Sequence, residues 1–282
     1  MRKARFLYFL YVVFVMLVKV VSIETITPLH VGAGAGRGEV DLPVDRDCFE
    51  FPFIPASGLK GALKDEFSDD LKSEIFGTNE KAGKMAVQDA YLLAMPARSL
   101  MGVWALVTSP LLLKRFKMLA EVAARNDLSN ELNDLSKANV MENKILVSDE
   151  GKRRLEIDGK IVINEDFELE PIPDQKLQKM GSKFLPDEPW RLCVVSDDVI
   201  REIVRTSLLR RARVELKDEE KTVGNGPWEE EDVPPRSFFV NLFCFPKDAE
   251  KEMKAFEGRI GSYLVIGGHE TLGRGMVRLK EW

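Results

Sequence analysis

Three cysteines and two histidines are all that 282 residues offer of the side chains that most often hold a metal or a disulfide. Cys48, Cys193 and Cys244 are far apart, odd in number and without a C-x-x-C pair. That excludes a disulfide framework and a zinc ribbon, and fits a reducing cytoplasm. A membrane span is missing as well. The apolar run Phe6–Val18 follows a basic Met1–Arg5 but is shorter than the roughly 20 residues a bilayer takes. Lys19, not a small-residue cleavage site, comes next. MLVKVVSIETITPLH reads as a chain that opens directly into a strand, so Met16 is the expected start and Met1–Val15 is upstream sequence. The basic excess usual in nucleic-acid-binding domains is also lacking, with 41 Lys+Arg against 46 Asp+Glu and a net charge of −5. The two signs are segregated, however. Arg201, Arg205, Arg210, Arg211 and Arg213 cluster, while Glu215–Asp232 is mostly acidic. Net charge alone therefore does not exclude an RNA ligand.

What the chain does have is glycine, concentrated in two loops near its ends. Thr27–Arg46 (TPLHVGAGAGRGEVDLPVDR) places Gly32, Gly34, Gly36 and Gly38 at alternate positions, between His30 and a lone carboxylate, Asp41. Gly267–Gly275 (GGHETLGRG) is the second. Glycine leaves backbone amides unshielded, which suits close approach to phosphates. Neither known phosphate motif fits. A dinucleotide fingerprint would need glycine where Arg37 or Glu39 stands, and a P-loop would need Lys then Ser/Thr where Arg274 and Gly275 stand. Each loop leaves or enters a strand, so both are expected on one surface.

In order, the chain reads as a strand (Lys19–Thr27), a helix capped by Ser57 (SGLKGALKDEF), strands at Lys84–Met95 and Val103–Thr108, and a helix from Leu111. Leu59, Leu63 and Phe67 face inward, and Lys60 and Lys64 share another stripe. Asn126–Trp190 is polar and irregular apart from LEIDGKIVI, where Asp158-Gly159 signals a hairpin. It reads as a lobe inserted at about 126–190 in a single domain, 16–282. A helix over Asp197–Arg211, a long acidic loop to Pro235, a buried strand at Phe238–Phe245, a helix over Asp248–Ile260 and two strands complete it. This order implies an α+β fold, a modified ferredoxin-like or RNA-recognition-type sandwich.

The motifs together resemble one family. PLHVGAG with DLPVDR, FIPASGLKGALK, IFG, ARSLMGVWALVTSPLLLKRF and IGGHETLGRGMV are similar to the RAMP superfamily, and most to the backbone subunits of type III-B CRISPR–Cmr effector complexes. The resemblance runs from about Val20 to the C-terminus and thins across 126–190. It implies copies of the chain stacked head to tail along a CRISPR guide RNA, beside other Cmr subunits and off the membrane. A thumb, about 217–236 here, would flip bases out of the guide–target duplex. Asp41 would cut complementary target RNA with Mg²⁺ or Mn²⁺, as general base or metal ligand, with His30 and Glu230 as candidate catalytic partners. Ser57, Lys60, Lys64, Arg98, Arg274 and the amides of Gly268 and Gly273 are the expected RNA contacts. His269 would meet the guide backbone, and Trp228 is a candidate wedge. A non-catalytic guide-RNA scaffold and the type III-A backbone subunit are the alternatives.

Overall fold

Nine residues, Phe238–Pro246 (FFVNLFCFP), carry the middle of the molecule. Polar alternation is absent, and every side chain through Phe245 is buried, the pattern of a strand covered on both faces. Phe239, Phe243 and Phe245 enter one core, while Phe238, Val240, Leu242 and Cys244 enter the other. The computed structural model describes residues 16–32, 34, 40–216 and 223–282. Met1–Val15, Gly36, Gly38 and residues 217–222 of the segment expected to be a thumb lie outside the described residues.

In chain order the strands are β1 (Met16–Thr25), β2 (Phe53–Ile54), β3 (Ala86–Val87), β4 (Ala90–Ser99), β5 (Val103–Thr108), β6 (Lys144–Val147), β7 (Glu156–Ile157), β8 (Lys160–Ile163), β9 (Phe167–Pro173), β10 (Leu192–Val194), β11 (Leu209–Leu216), β12 (Val223–Asp232), β13 (Phe238–Pro246), β14 (Tyr263–Val265) and β15 (Met276–Glu281). The helices are α1 (Ala56–Lys64), α2 (Asp69–Phe76), α3 (Pro110–Val122), α4 (Asn126–Leu132), α5 (Asp149–Leu155), α6 (Lys176–Phe184), α7 (Asp197–Ser207) and α8 (Glu250–Glu257). Thirteen strands form one mixed sheet in the order β14-β15-β1-β13-β4-β5-β10-β6-β9-β8-β7, with β2 added to β4 and β3 to β13. In the part β15-β1-β13-β4 every neighbouring pair is antiparallel. The chain crosses from β1 to β4 through α1 and α2, and from β13 to β14 and β15 through α8.

Leu59 and Leu63 of α1, Ile200 and Ile203 of α7 and Phe256 of α8 fill one face of the sheet. Phe116 of α3 and Leu177 and Phe184 of α6 fill the other. Helix α3 starts where the residues dictate. The Ser109 hydroxyl accepts from the Leu112 amide, and Pro110 takes the first turn, where no amide is needed.

Several expected boundaries move. Ser57 is not a cap: α1 begins at Ala56, whose amide donates to Asp89 instead. The segment 126–190 is far from irregular. It holds α4 to α6 and β6 to β9, and Ser99 of β4 pairs Ile163 of β8, so this part of the sheet returns to β4. Its Asp158-Gly159 turn has both residues at positive φ, as a two-residue hairpin requires. Helix α7 stops at Ser207, and what reads as an acidic loop includes strand β12 paired with β11.

Phe243 is fully buried against Phe256, their ring centroids 4.4 Å apart. Phe243→Ala is expected to destabilise the fold by about 3–5 kcal/mol in urea denaturation. Met118→Ala, on the exposed side of α3, should change stability by less than about 0.5 kcal/mol.

Candidate functional site

Strand β12 carries Glu230, Glu231 and Asp232 in succession, and all three side chains are buried. Consecutive residues on a strand point to opposite faces, so each carboxylate needs partners on its own side. Glu230 accepts from Trp228 Nε1 at 2.9 Å and from Arg274 Nη1 at 2.7 Å, with Arg213 at 3.6 Å. Asp232 meets the same Arg274 nitrogen at 3.1 Å and Arg211 at 4.0 Å. On the opposite face Glu231 accepts from Arg46 at 2.7 Å and from the Val44 amide at 3.3 Å, with Arg210 at 3.8 Å. The segregated charges of the sequence are thus cross-strand partners, Arg210 opposite Glu231 and Arg211 opposite Glu230. Glu230 has its carboxyl pulled two ways. Burial raises it, but the Trp228 and Arg274 hydrogen bonds and the nearby His269 and Arg213 charges hold it below the ordinary value.

Both glycine loops dock on this strand, as expected of loops sharing a surface. His30 bridges Gly268, whose amide donates to the His30 carbonyl, and the Gly275 amide donates to Pro28. At Gly267, with φ of 83°, a Cβ would lie 2.2 Å from the His30 carbonyl oxygen, so only glycine fits. The His30 ring lies under Gly32, where a Cβ would sit 2.8 Å from Nε2. Its Nδ1 donates to the Glu231 carbonyl at 2.8 Å and lies 3.6 Å from Asp232 Oδ1. Asp232 raises the imidazole pKa, burial opposes it, and the Glu231 carbonyl and the Asp232 and Glu230 charges add to the rise. His269 packs against His30, ring centroids 4.9 Å apart and planes tilted by 37°, and accepts at Nδ1 from Arg274; burial lowers its pKa.

Asp41 stands apart from this buried network. Leu42 donates to the Glu229 carbonyl and accepts from the Glu231 amide, which lays the DLPVDR segment along the outer edge of β12. The Glu229 amide then donates to Asp41 Oδ2 at 2.8 Å. One carboxylate oxygen is oriented by the backbone, while the residue remains exposed. A carboxylate held by one donor and open to solvent can accept a proton or share a cation with a bound phosphate. Among the described residues no group of three His, Cys, Asp or Glu could hold a metal ion by itself. The donor set fits a cation that arrives with a phosphate-bearing ligand, as Mg²⁺ commonly does, and Asp41 is the residue that would hold it.

The other expected residues divide. Arg274 is 4% exposed and committed to Glu230 and Asp232; it is a buried ion-pair partner and not a surface phosphate contact. The amides of Gly268 and Gly273 are taken up by His30 and Glu270 carbonyls, so neither is presented to a ligand. Glu230 and His30 are both buried and do not reach the surface with Asp41. Trp228 is half-buried, its indole N–H tied to Glu230. Ser57 and Lys60 line one cleft of about 470 Å³ with Thr78 and Lys81, and Lys64 is exposed on the same helix. Arg98 lies elsewhere, on β4, paired with Glu165 at 2.8 Å near the base of the β11–β12 hairpin. The sequence reading missed Asp232 and Arg46. Alternating arginines facing a Glu-Glu-Glu-Asp run across a short connection were the available signal.

The RAMP superfamily profile matches residues 22–278. The chain is 34% identical over 275 residues to the CRISPR system Cmr endoribonuclease Cmr4 of Pyrococcus furiosus, covering 90% of this chain and 92% of that one. It is 32% identical over 302 residues to the CRISPR system CMR subunit Cmr4 of Saccharolobus solfataricus, covering 92% and 94%. The chain belongs to the RAMP superfamily, among its Cmr4 proteins. A chain in the cryo-EM structure of the type III-B Cmr-beta complex bound to cognate target RNA superposes with a TM-score of 0.79 at 30% identity, covering 94% of this chain and 96% of that one. The crystal structure of oligomeric Cmr4 from Pyrococcus furiosus gives 0.71 at 28%, covering 94% and 98%. Among the described residues no helix is long and apolar enough to cross a membrane. The GGHETLGRG loop, through His269 and Arg274, and the DLPVDR segment, through Arg46, both reach the buried carboxylates of β12.

Arg274→Ala leaves two buried carboxylates short of a cation and should cost about 3–5 kcal/mol in chemical denaturation; a surface phosphate contact would leave stability unchanged. His30 should make stability pH-dependent. With its folded pKa raised, its contribution is complete below the unfolded value near 6.5 and is lost as pH rises through the folded one. His269, shifted down, runs the opposite way and loses its contribution as pH falls. Comparing melting temperatures of the wild type and His30→Gln from pH 5 to 8 isolates His30, and the variant should lose less stability on going alkaline.

Proposed function

We propose that this chain is a CRISPR guide-RNA-binding backbone subunit that stacks head to tail with copies of itself, beside other Cmr subunits, and cleaves complementary target RNA at regular intervals. The observation that carries the catalytic part is Asp41, exposed, with one oxygen oriented by the Glu229 amide at 2.8 Å and the other available. Support for the class comes from the relatives, one named an endoribonuclease and another seen in a complex bound to target RNA. In this reading β1, β4, β13 and β15, in the antiparallel order β15-β1-β13-β4 with two helical crossovers, form the RNA-recognition-type half. The hairpin β11–β12 is the thumb, and 126–190 is an inserted lobe. Ser57, Lys60 and Lys64 of α1 contact the guide backbone. Three unpaired cysteines suit a cytoplasmic setting.

The chemistry proposed is transesterification within the RNA. The 2′-hydroxyl next to the scissile phosphate gives its proton to the Asp41 carboxylate, and a 2′-O–P bond forms as the P–O5′ bond breaks. The 5′-oxygen takes a proton from solvent, leaving a 2′,3′-cyclic phosphate and a 5′-hydroxyl. Mg²⁺ or Mn²⁺, when bound, supplies charge stabilisation at the phosphate. His30 and Glu230 act at one remove, by fixing the two loops against β12.

Asp41→Ala should lower target cleavage by about 10² or more while guide binding and melting temperature stay unchanged, because truncating an exposed side chain opens no core. A 2′-deoxy substitution at the cut site should abolish cleavage. Wild-type cleavage by Asp41→Ala would make the chain a scaffold.

A further inference from the structure

Two exposed apolar patches lie on different strands of the large sheet, and their surroundings carry opposite charge. The first is the β4–β5 turn, where Leu100 is 65% exposed and Val103 79% exposed, with Met101 between them. The turn is not loose. Val103 sits at φ 72° inside a three-residue turn closed by the Trp104 amide on the Gly102 carbonyl, a positive-φ γ-turn that is rare and strained, most of all for a β-branched residue. Arg191 also donates to that carbonyl, and a Cβ on Gly102 would meet Leu155 at 2.8 Å. Backbone strain therefore holds an apolar side chain out in water, an arrangement that gains nothing within one chain. The cleft beside it, about 590 Å³, is bounded by Glu165 and Glu168 with Arg98, and Asp166 is exposed next to them.

The second patch lies across the sheet, on the end strand. Val265 of β14 pairs directly with Met276 of β15, and Tyr263 pairs with Arg278. Tyr263, Val265 and Met276 are exposed, while Leu264 and Ile266 point into the core. Arg278 and Arg236 both pair with the single carboxylate of Glu24, which leaves this rim one positive charge in excess. Both patches lie toward the same end of the sheet. Thr25, the last residue of β1, pairs Val277, and β4 passes β13 at Ala94 before running on to the turn. From β14 to β4 is four strand spacings, roughly 20 Å.

We propose that these patches meet between copies: the Leu100–Val103 turn of one chain seats on the Tyr263–Val265–Met276 face of the next. The acidic rim of one patch faces the basic rim of the other, whereas turn against turn would set acid against acid. Contacts between two different patches are heterologous and do not close into a dimer. The string they make repeats Asp41 sites along one line. This rests on the proposed stacking of copies and names its contact.

Cysteine cross-linking tests it on the full chain with its co-purifying RNA. Val103→Cys and Val265→Cys are each placed in a Cys48→Ser background, since Cys48 is the exposed native thiol, and treated with a short bismaleimide. A dimer is expected only when the two variants are mixed, and a ladder of multimers when one chain carries both. Val103→Asp should also weaken multimer formation about tenfold or more by light scattering, as loss of a central apolar anchor does, with melting temperature retained. Cross-linking of either single variant with itself overturns the proposal, and so does a mixture that gives no cross-link, whatever its mass. Cleavage is read separately: Asp41-dependent cutting without the cross-link would sink this contact and leave the function standing.

Discussion

Three adjacent carboxylates buried on β12 are the constraint around which the rest of the site is arranged. Each such ion carries a desolvation cost of several kcal/mol unless cations and donors surround it. The compensation comes from five places in the chain: Arg46, the β11 arginines, His30, His269 and Arg274. Those residues span from the first glycine loop to the last, so satisfying one strand ties both ends of the chain to the hairpin. The glycines follow from this. Gly267 and Gly32 are where a side chain would collide with His30, and removing the collision lets the loops close over the charges.

A charge network of this kind separates structure from chemistry. Buried ion pairs confer arrangement more dependably than net stability, and here the arrangement is the position of the DLPVDR segment on the edge of β12. Glu231 holds that segment from inside through Arg46 and the Val44 amide. The backbone of Glu229 holds Asp41 from outside. Among the described residues the solvent-facing Asp41 meets a backbone donor and no ion-pair partner, which is what a proton acceptor or a partner for a passing cation needs.

Much of this was legible in the residues, and the rest was hidden for physical reasons. The apolar run at Phe238–Phe245, interrupted only by Asn241, the Asp158-Gly159 turn and the helix from Leu111 are local signals with local causes, and the structure follows them. Asp41 was visible through its motif. Arg274 and the loop amides were read as ligand contacts, and Glu230 as a catalytic partner, because charge and glycine mean that on an exposed loop. Their burial depends on which strand lies opposite, and one-dimensional spacing does not carry that. The extent of α7 was misjudged for a related reason. Arg210 and Arg211 suit a helix C-terminus through the macrodipole, but facing carboxylates across a hairpin is a stronger claim on them than a partial charge.

The same logic explains how an acidic chain serves an RNA role. Some of its carboxylates never reach solvent as free charge: Glu230, Glu231 and Asp232 of β12 are met internally by arginines, and Glu24 is covered by two more. What a phosphate backbone senses is the local field at the surface within about a Debye length, not a total of −5. Burying negative charge under arginines leaves lysines such as Lys60 and Lys64 on α1 to set that field. Net charge is then a statement about the whole inventory of side chains, and the burial pattern decides which of them a ligand can meet.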